Sequence, residues 1–101
     1  MSTRMPQAAL NLRLDDKVVS MNRRLDWRNS VVDLLKVLDL DSTPEARARL
    51  ARRLHVFVGE DGSPARNIAI HGVIMDEIAR NEGRASEKLA AALSVTGEGY
   101  Y

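Results

Sequence analysis

Leu10, Leu14, Val18 and Met21 recur at intervals of four, four and three, which lines one face of a helix across residues 8–24. The alternation of Leu10, Leu12 and Leu14 before Asp15-Asp16 and Val18-Val19 would equally suit a short hairpin, so this segment is read as helix with hairpin as the alternative. Asp26 can accept from the unpaired amides of a first helical turn and is read as the N-cap of a second helix. Trp27, Val31, Leu34, Leu35 and Leu38 would then form its buried face. Ser42-Thr43-Pro44 opens a third helix, proline suiting the first helical position, with Ala46, Leu50 and Leu54 inward and an end near His55.

Val56, Phe57 and Val58 are expected to tuck the connection onto the core before the Gly59-Glu60-Asp61-Gly62 turn. Ser63-Pro64 repeats the cap-then-proline signal and starts the longest helix, Pro64 to about Asn81, stopped by Gly83. Its apolar arc of Ile68, Ile70, Ile74, Met75 and Ile78 predicts contact with more than one neighbour. A short closing helix is expected over Ser86 to Leu93. The fold class that follows is all-α, a small orthogonal or irregular bundle of four to five helices. Its expected core is Trp27, Leu34, Leu38, Leu50, Leu54, Ile70, Ile74 and Ile78.

With 101 residues there is room for one core, so a single helical domain over 1–101 is expected, with 1–7 and 95–101 frayed. Apolar residues make up 45% and aromatic residues only 4%, which calls for an aliphatic core. A net charge of +1 gives no whole-molecule attraction to DNA or anionic membranes, so any basic site must be local. The absence of cysteine excludes disulfides and thiolate chemistry and fits a reducing compartment. Without a signal-peptide pattern, or the roughly 20 apolar residues of a membrane span, the expected location is the cytoplasm.

Leu25-Asp26-Trp27-Arg28 through Ser30, Val32-Asp33-Leu34, Lys36 and Leu40-Asp41-Ser42 form one motif. Ala46-Arg47, Leu50-Ala51 and Leu54 form a second, and Asn67-Ile68, His71, Met75 and Asn81-Glu82-Gly83 a third. In this order, over residues 25–83, they resemble the bacterial and phage family called domain of unknown function DUF3597. The resemblance implies a compact helical fold and carries no activity. Asp39 stands where that family usually has glycine, and Val56-Phe57 where it has Gly-Tyr. Glycine adopts a positive φ readily and Asp at a cost, which points to a remodelled turn.

Candidate chemistry is sparse. His55 and His71 have no histidine partner at helical spacing, and His71 lies on the apolar arc, so it is read as a buried, hydrogen-bonded structural residue rather than a metal ligand. The carboxylates mostly fall at expected termini or turns, and no phosphate loop, zinc-protease motif or nucleophile elbow occurs. No catalytic residue, cofactor or metal is expected, and the protein is read as a non-enzyme. Trp27 is read as a packing anchor whose indole N–H finds a polar neighbour.

Two surface readings remain. Leu12, Val19, Val32, Val37 and Val73 fall off the main apolar faces and are candidate contacts to a protein partner or a second copy. Arg49, Arg52 and Arg53 share one outward stripe of the third helix, flanked by Arg47, and could grip nucleic-acid phosphates. A Glu45-Arg49 ion pair on a solvated face would explain the same stripe. The leading reading is a non-catalytic interaction module, and nucleic-acid binding is the alternative.

Overall fold

Four of the five helices begin where a side-chain oxygen accepts from an amide of the first turn, whereas the first helix follows Pro6 without such a cap. In the computed structural model, which describes residues 4–93, five helices follow one another: α1 (Gln7–Met21), α2 (Val31–Val37), α3 (Pro44–Arg53), α4 (Pro64–Ala79) and α5 (Glu87–Leu93). No strand occurs among the described residues, so 8–24 is helical and not a hairpin. Thr43 Oγ1 accepts from the Ala46 amide and Ser63 Oγ from the Arg66 amide, each followed by proline as the first helical residue. Ser86 Oγ accepts from the Leu89 amide ahead of α5.

The start of α2 differs from the sequence expectation. Ser30, not Asp26, is the N-cap, accepting from the Asp33 amide at 3.1 Å, and Trp27 lies in the turn that precedes the helix. The Asp33 carboxylate reaches back to the Asp26 N–H at 2.8 Å, and the Asp26 carbonyl accepts from the amides of Asn29 and Ser30. Asp26 therefore closes the turn, while the hydroxyl four residues later starts the helix.

Two helix ends share one construction. Asp39 and Leu40 donate to the carbonyls of Lys36 and Leu35, and His55 and Val56 to those of Arg52 and Ala51, the paired bonds of a Schellman cap. Asp39 (φ 62°) and His55 (φ 59°) occupy the left-handed position. The turn at Asp39 is thus not displaced to suit its side chain; Asp adopts the conformation that glycine would favour. Asp39→Gly should relieve that cost, partly offset by the greater freedom of glycine in the unfolded chain. A net gain of about 0.5–1 kcal/mol in urea unfolding is expected.

α2 lies against both α1 and α4, while α3 contacts α4 and α5. One core runs through all five helices: Leu10 and Leu14 from α1, Leu34, Leu35 and Val37 from α2, Leu50 from α3, Ile70, Ile74 and Ile78 from α4, and Leu89 from α5. Of the expected core residues only Leu54 is partly exposed, packed at the margin. Ile68 was expected on the buried arc but is 72% exposed, because the buried stripe of α4 runs through residues 70, 74 and 78.

Phe57 and Val58 were expected to cover the core, yet only Val56 does. The Arg66 guanidinium bonds the carbonyls of Val58 and Gly59, holding the loop backbone towards α4. The Phe57 and Val58 side chains face solvent. At the N-terminal end Met5 donates to the Ala79 carbonyl at 2.7 Å and Arg4 pairs with Asp76. Of the ends expected to fray, residues 4–7 are held by these bonds and by the start of α1, while 1–3 and 95–101 lie outside the described residues.

Candidate functional site

Trp27 is 3% exposed although it sits in a turn, because both neighbouring elements hold it. Its indole N–H donates to Asp15 Oδ1 on α1 at 3.1 Å, and its carbonyl accepts from His71 Nε2 on α4 at 2.6 Å. The carbonyl can only accept, so Nε2 carries the proton, and Nδ1 is an acceptor in the neutral ring. Arg28 completes the arrangement: its fork meets both oxygens of Asp15 at 3.0 and 3.1 Å, and its guanidinium lies 4.3 Å from the centre of the Trp27 ring. His71 is thus hydrogen-bonded as expected, but only partly buried.

Electrostatics follow from these bonds. The Arg28 fork holds the Asp15 carboxyl below its ordinary range, assisted by the indole N–H. The Thr43 amide lowers Asp41 and the Arg4 guanidinium lowers Asp76. Folded carboxyls below the unfolded value contribute stability above that value, which is lost as pH falls through the folded ones. Urea midpoints should therefore hold near neutrality and fall once the pH drops below about 4. Asp15→Asn should lessen that fall, as followed by circular dichroism.

A cleft of about 330 Å³ opens between this turn and α4, lined by Arg28, Asn29, Val31, Asn67, Ile68 and His71. Arg47 donates from Nη1 to Asn67 Oδ1 at 3.1 Å and from Nε to the Ser42 carbonyl at 3.3 Å, so the Asn67 amide nitrogen is left as a donor. The cleft thus combines the Asn67 amide donor, the His71 ring and the apolar edge of Ile68. Such a set can grip a peptide group and an adjoining side chain. Among the described residues no three His, Cys, Asp or Glu side chains converge on a possible metal position.

The arginine stripe does not form as expected. Arg47 is partly buried and committed to Ser42 and Asn67. Arg49 is partly buried too, its Nε and Nη2 closed to solvent without a hydrogen-bond partner, and the Glu45-Arg49 ion pair does not form. Arg52 and Arg53 are exposed. The apolar set also divides. Leu12 and Val19 are 65% and 78% exposed, two turns apart on one side of α1, whereas Val32 and Val73 are partly buried against the core.

Val37 must be removed from the surface set, being fully buried. A seven-residue helix pressed by both α1 and α4 buries a wider arc than a one-sided amphipathic pattern suggests. The sequence reading missed Asp15, Phe57, Val58 and Ile68. Only the tryptophan's need for a polar partner hinted at the first.

These features define a class: a small all-helical domain whose single tryptophan ties a pre-helical turn to two other helices. Within that class, the chain belongs to the family described as Domain of unknown function (DUF3597), whose model matches residues 2–86. The match takes in α1, and with it Asp15, which the resemblance over 25–83 had left out. No curated protein and no solved structure matches the chain. No described helix is long and apolar enough to cross a membrane.

Proposed function

We propose that this protein is a non-catalytic interaction module of the cytoplasm, binding a protein partner or a second copy of itself. The observation that carries the reading is the exposure of five large apolar side chains, Leu12, Val19, Phe57, Val58 and Ile68, at 53–78%. They surround a core that does not need them. Single exposed apolar residues are ordinary. Here Ile68 edges a cleft that also holds the uncommitted Asn67 amide donor and the His71 ring, and Leu12 and Val19 share one stripe of α1. Nucleic-acid binding rests on Arg52 and Arg53 alone among the four candidate arginines, a small footprint for phosphate contact.

Gel filtration with light scattering, at low salt and with a short DNA duplex added, tests the reading. A dimer or larger species indifferent to DNA is expected if the partner is a second copy. Co-elution with the duplex that salt reverses would overturn the proposal in favour of the arginines.

A further inference from the structure

On the far side of α1 from the tryptophan turn, a groove of about 660 Å³ runs between that helix and the α4–α5 connection. Arg13 and Lys17 enter it from α1 and Arg84 from the connection. Among the described residues none of the three has a carboxylate within ion-pair distance. Arg13 and Lys17 stand four residues apart, the spacing at which like charges on a helix repel. The fold adds a third cation to that repulsion instead of relieving it.

The groove is also shaped for Arg13. A Cβ on Gly83 would lie 2.4 Å from Arg13 Cδ, so the arginine stem rests where any other residue would place a side chain. Gly83 in addition has a φ of 77°. Beneath the cations lie Leu14, Leu38 and Ala85, so the groove pairs positive walls with an apolar floor.

We propose that this groove binds a short acidic segment of a protein partner, one that sets carboxylates against Arg13, Lys17 and Arg84 and an apolar side chain on the floor. The inference rests on the interaction-module reading and names the partner's chemistry. Charge complementarity supplies the attraction. A nucleic-acid backbone fits less well, since none of the described lining residues is aromatic for a base to stack on, and phosphates gain nothing from an apolar floor. Asp16 on the wall would select for a basic residue beside the acidic ones.

The test is selection from a random peptide library displayed on phage, using the full chain as bait. Wild type should enrich sequences that interleave acidic and apolar residues. Arg13→Gln/Lys17→Gln/Arg84→Gln should weaken the selected peptides by about tenfold, as three screened charge contacts allow. The charge-matched Arg23→Gln/Arg52→Gln/Arg53→Gln protein should keep them, and unchanged circular dichroism shows that both variants fold. Enrichment without acidic character, or equal weakening in both variants, overturns the groove. Peptides of other chemistry whose binding is lost in Ile68→Ser would do so while leaving the interaction module standing. Tighter binding of a short DNA duplex than of any peptide, lost in the groove variant, would overturn both.

Discussion

Trp27→Ala should lower the free energy of unfolding by roughly 3–5 kcal/mol. Against the roughly 5–15 kcal/mol of a whole domain, that is a severe loss. The side chain is 3% exposed, and removing it opens a cavity beside α1 and α4 and leaves Asp15 with Arg28 as its remaining partner. Trp27→Phe keeps most of the apolar volume and forfeits the N–H to Asp15, so it should cost less than the alanine variant. Because this is the only tryptophan in the chain, unfolding is followed by circular dichroism. A near-zero loss for the alanine variant would contradict its role as the anchor.

Val37→Asp should be comparably damaging, at least about 3 kcal/mol, because it places a carboxylate where neither water nor a cation can reach it. The control is Val19→Asp. That residue is 78% exposed on α1, and its substitution should change stability by no more than about 0.5 kcal/mol. The two valines look alike in the sequence, each off the main apolar face of its helix. Equal effects in paired urea titrations would overturn the burial that separates them.

Helix starts were legible wherever cap and proline occur together. Thr43-Pro44 and Ser63-Pro64 leave one possible first turn each, and α3 and α4 begin there. Asp26 and Ser30 are both capping residues four apart, and local sequence offers no choice between them. The choice is made by contacts from afar: Asp15 and His71 hold Trp27 in the turn, so the helix can only begin after it. The end near His55 and the glycine position taken by Asp39 were legible, but not that both residues adopt a positive φ, since neither side chain requires it.

Side-chain reach explains the divided stripe. Spacing along α3 placed Arg49, Arg52 and Arg53 outward, and Arg52 and Arg53 are exposed while Arg49 is partly buried. The flanking Arg47 folds back to Asn67, as Arg66 does to the Val58 carbonyl. The cleft beside His71 depends on bringing residues 28–31 against 67–71, a juxtaposition that only the packing of α2 on α4 creates. Two of the three family motifs meet there.

Site-specific photo-crosslinking in cells that naturally make the protein addresses the interaction reading most directly. A benzophenone side chain at position 68 or 12 should yield a discrete protein adduct, and the same group at position 53 should yield none. A nucleic-acid adduct from position 53, or no protein adduct from either apolar position, would contradict the account.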